Sequence, residues 1–95
     1  MLHVIAEFTA RSGQEDALRQ ALRDVLAPTR AEDGCHEYTL LADSTQPDHL
    51  ILREQWRDDA ALDAHFGQPH MKQLIARFDE LLATPPAIHR LREMG

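Results

Sequence analysis

Ninety-five residues with a formal charge of −6 and 43 % hydrophobic side chains make one domain, residues 1–95, whose core is modest. A chain of this length buries only roughly 65 % of its unfolded surface, so association with a second copy would add stability. The acidic balance argues against a nucleic-acid groove or an anionic membrane surface as partner.

Cys35 is the only cysteine, which leaves no internal disulfide and no thiolate cluster and fits a reducing cytoplasm. The opening MLHVIAEFTA lacks a basic flank and alternates like a strand, so it reads as neither signal peptide nor membrane anchor. Residues 2–9 are therefore predicted as the first strand, with Val4, Ile5 and Phe8 as strand formers. Ser12-Gly13-Gln14-Glu15 has the S-x-x-E spacing of a capping box. In the helix after it, Leu18, Ala21, Leu22, Val25 and Leu26 share one face. Pro28 loosens the last turns of that helix and Gly34 stops it.

Residues 35–42 and 49–56 form two strands of a hairpin, joined by the turn-rich 43–48. Asp58 or Asp59 caps a short helix running to about Phe66, and Gly67-Gln68-Pro69 breaks and restarts it. From His70 onward, Met71, Leu74, Ile75, Phe78, Leu81 and Leu82 mark one buried face. Thr84-Pro85-Pro86 ends this helix, and residues 87–92 alternate as a last strand. The order βαββαβ predicts an α+β, ferredoxin-like fold: a four-stranded antiparallel sheet with helices on one face. The uncovered sheet face calls for a second protomer, sheet against sheet, in a two-fold homodimer.

The usable chemistry concentrates at 54–70, EQWRDDAALDAHFGQPH. Glu54 and Trp56 are two apart on one strand and point to the same side. If that side faces the helices, Trp56 offers a flat wall to an aromatic ligand; the structural alternative is a large core side chain. His65 sits beside the buried face of the short helix, where a neutral imidazole suits proton abstraction. The structural alternative is a tie to the sheet, with Glu54 as partner. His70, in the first turn of the restarted helix, is the second candidate base. Tyr38, on the same strand face as His36, could hold a phenolic or quinone oxygen, or pack at the sheet edge. Six histidines raise the question of a metal, but His65 and His70 are five apart across a helix break and match no metal signature. Cys35 reads as packing. No phosphate loop or nucleophile elbow is present.

Several of these segments together resemble the antibiotic biosynthesis monooxygenase family: the VIAEF strand, the Gly13 helix start, EDGCHEY at 32–38, EQW at 54–56, Ala61, His65 and Pro69-His70. The resemblance implies a dimeric α+β barrel with a cleft between each sheet and its own helices. Haem-degrading members carry an asparagine on the first strand and a histidine inside the last helix, where this chain has Phe8 and Leu74. Isomerase-like members lack the strand tryptophan. The implied activity is therefore cofactor-independent oxidation of a small quinol or anthrone-like aromatic by O₂, with no metal or prosthetic group. His65 or His70 would be the base, and Trp56, Tyr38 and Glu54 would bind substrate. A non-catalytic small-molecule binder or structural dimer, or an isomerase of a small ketone, are the alternatives.

Overall fold

A computed structural model describes residues 1–95. Its strands are β1 (Leu2–Thr9), β2 (Cys35–Ala42), β3 (His49–Trp56) and β4 (Ala87–Leu91). They form one antiparallel sheet in the order β2-β3-β1-β4. The helices are α1 (Glu15–Asp24), α2 (Leu26–Arg30), α3 (Asp59–Phe66), α4 (Pro69–Ala76) and α5 (Phe78–Leu81). The ferredoxin-like α+β arrangement expected from the element order is the one observed. No helix is long and apolar enough to cross a membrane.

Strand alternation sets the two faces of the sheet. Leu2, Val4, Ala6 and Phe8 of β1 and Leu50, Leu52, Glu54 and Trp56 of β3 are buried under the helices. The opposite face has no helix over it. It carries half-buried Ile5 and Ile51 beside a polar network, in which Glu7 meets His49 at 3.2 Å and His89 at 3.0 Å.

Helix breaks follow the chemistry of single residues. Pro28 has no N–H to give to the carbonyl four residues back, at Asp24, and the first helix divides there into α1 and α2. Asp58 takes extended backbone and its side chain accepts from the Ala61 N–H at 2.9 Å, capping α3. Pro69 occupies the first position of α4, where a missing N–H has no consequence.

Three local expectations are corrected. The helix expected to run on from His70 divides at Arg77 into α4 and α5, and Ile75 is exposed rather than on a buried face. No Ser12 capping box forms: α1 starts from Gln14, without a side-chain cap, and the turn is made instead by Gly13 at φ +86°. In β2 a bulge lies between Cys35 and Glu37. The inserted residue puts exposed His36 and buried Tyr38 in different environments and lets Cys35, three residues from Tyr38, pack against the core. Gly34 lies beyond the last helical turn, in the loop that leads into β2.

That loop is pressed onto α3. A Cβ on Gly34, at φ +87°, would lie 2.7 Å from the Ala61 Cβ, whereas one on Gly13 would meet nothing within 4 Å. Gly13→Ala should therefore lose about 1–2 kcal/mol, the cost of left-handed backbone alone. Gly34→Ala should lose at least ~1 kcal/mol more, because α3 must also move. Urea unfolding of the two variants side by side measures the difference.

Candidate functional site

Between the inner sheet face and helices α3, α4 and α5 lies a cavity of about 300 Å³. Its wall is mostly apolar: Val4, Ala6, Phe8 and Leu52 from the sheet, Phe66, Met71, Ile75 and Phe78 from the helices, and Pro86 and Ile88 at the far edge. Ile75 and Ile88 are 42 % and 43 % exposed, which places the mouth beside them. Three polar side chains complete the lining, Tyr38, Glu54 and His65. An apolar pocket with a few convergent polar groups is the usual form of a small-molecule site.

His65 is 1 % exposed. It lies one helical turn beyond Ala61, so the contact that brings Gly34 against Ala61 also brings Glu32 to His65. Glu32 Oε2 lies 2.7 Å from His65 Nδ1 and 2.8 Å from His70 Nε2. The expected tie from His65 to Glu54 is thus replaced by one to Glu32, which sequence reasoning did not single out. With Nδ1 engaged by a carboxylate, Nε2 is the nitrogen left unpaired. Burial holds the His65 pKa below that of a free imidazole, against an opposing pull from Glu32.

Glu54 is buried on β3, and its Oε1 accepts the Trp56 indole N–H at 2.8 Å. Burial pushes the Glu54 carboxyl up to about 7; the indole bond opposes the shift and the Glu32 charge adds to it. Trp56 is fully buried and lies behind the cavity rather than on its wall. Its rings pack 4.7 Å from His65 and 6.3 Å, edge-on, from Tyr38. It therefore supports the imidazole and fixes one Glu54 oxygen.

The Tyr38 hydroxyl and the neighbouring Thr29 hydroxyl are both buried and have no hydrogen-bond partner beyond each other. Burial, reinforced by the Glu54 charge, raises the Tyr38 pKa, so the phenol stays protonated and is a donor. His70 stands outside the cavity, on the far side of Glu32, and lines a surface depression with Ala21, Val25 and Gln73. Cys35 is pushed up to about 11, by burial first and the Glu32 charge second. Its thiol is a poor nucleophile at neutral pH.

The structure brings Tyr38, Glu54 and His65 to one cavity and sets Trp56 and His70 one layer back. Comparison with known proteins adds to this geometry. The family model of the antibiotic biosynthesis monooxygenases matches residues 1–77. Rv0793 of Mycobacterium tuberculosis, a protein named as a monooxygenase, is 44 % identical over 85 residues, which span 90 % of this chain and 83 % of that protein. YgiN of Escherichia coli, named as a quinol monooxygenase, is 43 % identical across 76 % of this chain and 79 % of its own. Among solved structures, PA3566 of Pseudomonas aeruginosa superposes with a TM-score of 0.94 at 37 % identity, covering 99 % of this chain and 94 % of that one.

The Glu54 environment sets a pH dependence of stability. Its pKa is higher folded than unfolded, so its contribution is most favourable at low pH and is lost as pH rises from about 4.5 through about 7. Glu54→Gln keeps an acceptor for the indole and removes the buried charge. The variant should match the wild type near pH 4.5 and exceed it at pH 8 by about 1–3 kcal/mol in urea unfolding. Equal stability of the two proteins at pH 8 would show that Glu54 is not strained by burial.

Proposed function

The chain belongs to the antibiotic biosynthesis monooxygenase family, and from that premise we propose that it oxidises a small electron-rich aromatic, a quinol or an anthrone-like phenol, with O₂. The observation that carries this reading is the placement of His65. Its ring lines an apolar cavity with Tyr38 and Glu54, while its Nδ1 is held by Glu32. A base needs a free nitrogen facing the substrate and a partner that fixes its tautomer.

In this reading the phenol sits against the apolar wall and gives its proton to His65 Nε2. The phenolate then passes one electron to O₂, and the two radicals combine at the ring carbon. Proton return and loss of water leave one oxygen atom in a hydroxylated quinone and the other in water. A quinol supplies the four electrons that O₂ takes up, so the balance closes without an external reductant. The dry wall favours formation of the caged radical pair and excludes competing hydrolysis. The protonated form of Glu54 is the donor nearest to hand for a developing oxyanion, and the buried Tyr38 hydroxyl would become a second by turning from Thr29 toward the substrate. The proton taken by His65 can leave through Glu32, whose Oε2 also contacts His70, at the surface depression. The name carried by YgiN supports a quinol as the substrate class.

The test is O₂ uptake by the purified protein with a reduced naphthoquinol and no added cofactor, corrected for spontaneous oxidation. His65→Gln should lower the rate by at least ~100-fold. Full turnover in that variant would move the base elsewhere. Turnover of a small ketone without O₂ uptake would favour the isomerase instead.

The same reading includes a homodimer, supported by the helix-free sheet face with its half-buried Ile5 and Ile51. Sedimentation at micromolar concentration should give twice the chain mass. A monomer there removes the dimer.

A further inference from the structure

The geometry points to a divalent transition-metal site formed by Glu32, His65 and His70, on the side of His65 that faces away from the cavity. One carboxylate oxygen and two ring nitrogens lie within 4.8 Å of one another, with the two nitrogens 2.7 and 2.8 Å from Glu32 Oε2. Two imidazoles and a carboxylate form a donor set suited to Zn²⁺, Co²⁺ or Fe²⁺ rather than to Mg²⁺ or Ca²⁺. Metal–ligand bonds of about 2.0–2.2 Å call for ligand atoms somewhat further apart than these hydrogen-bonded ones. Opening by roughly 0.5 Å admits the ion, a shift within the reach of side-chain torsions.

Charge and access favour the same assignment. The Glu32 side chain is 8 % exposed, and its only ionisable partners are the two histidines, with no lysine or arginine paired to it. A buried carboxylate without a fixed cation is costly, and a divalent ion balances it. The His70 side chain is 18 % exposed and lines the surface depression, which gives the ion a way in. The helix break that Pro69 creates sets the two histidine rings 6.2 Å apart at their centroids, a relation that the five-residue spacing in one uninterrupted helix would not give.

Occupancy has a consequence for the cavity. A neutral imidazole that coordinates through Nδ1 carries its proton on Nε2. The metal would turn the cavity-facing nitrogen of His65 from acceptor to donor, and so silence the base. This second step rests on the monooxygenase reading; the site itself does not.

The experiment is Co²⁺ titration of the full chain after dialysis against a chelator, followed by visible absorption, with Zn²⁺ as competitor. One ion should bind per chain. Glu32→Gln and His70→Gln should each weaken binding by about 100-fold or more. His70 borders the surface, and Glu32→Gln keeps an amide oxygen that can accept from His65 Nδ1, so both variants leave buried His65 itself in place. Glu7→Gln, in the His–Glu–His cluster of the opposite sheet face, should leave binding unchanged. The assignment is overturned if Co²⁺ does not bind stoichiometrically, or if Glu7→Gln abolishes binding while Glu32→Gln does not. Zn²⁺ should also suppress quinol-dependent O₂ uptake by the wild type. Binding that depends on Glu32 but leaves O₂ uptake unaffected keeps the metal site and overturns the role of His65 as base.

Discussion

The close approach of Gly34 to Ala61 is the contact on which the site depends. Only a residue without a Cβ fits there, since a methyl group would sit 2.7 Å from the Ala61 side chain. The loop is fastened at this point: Gly34 O accepts the Arg57 N–H at 2.8 Å, and Asp33 pairs with Arg57 at 3.2 Å. Two residues before the glycine, Glu32 is delivered to α3; one turn after the alanine, His65 is there to meet it. Local backbone chemistry is thereby converted into a carboxylate–imidazole pair between residues 33 positions apart.

The remainder of the site is a compromise made within a small core. Nineteen buried apolar residues form one cluster, and Glu54, His65 and Thr29 are buried among them. Filling those positions with aliphatic side chains would make a drier and more stable domain, because each polar group loses water and regains only part of it in hydrogen bonds. The hydroxyls of Tyr38 and Thr29 have only each other. Local conflicts of this kind gather where a fold accommodates function. Here all but Thr29 belong to residues that line one cavity.

Much of the architecture was legible because it rests on short-range rules. Strand alternation placed Leu50, Leu52, Glu54 and Trp56 on one face, and Asp58 and Pro69 declared the starts of two helices by capping and by a missing N–H. Where two local solutions compete, the signal fails. Ser12 and Glu15 have capping-box spacing, yet Gly13 offers a left-handed turn and the chain uses it. The bulge at His36 inserts a residue into a strand, and nothing in the alternation of CHEYTLLA announces it. Glu32 was invisible as a site residue for a different reason. Its partners lie 33 and 38 positions away, and in sequence it is one acid among sixteen. Trp56 shows the limit of face assignment: it points to the correct side of the sheet, but depth within that side is set by packing against His65 and Tyr38.

The interior holds two carboxylates whose surroundings assign them different tasks. Glu32 receives two ring nitrogens on a single oxygen, an arrangement that orients its partners. Glu54 receives one indole N–H, and burial brings its carboxyl to about 7. A carboxyl so adjusted can lend or accept a proton near neutrality, while the other fixes the tautomer of the His65 imidazole. The two are also coupled, since the charge on Glu32 is one of the causes that raise Glu54. The two carboxyls thus divide between positioning and proton exchange. In this fold the division follows from where each side chain enters the interior: one from the loop fastened at Gly34, the other from β3, one of the two central strands.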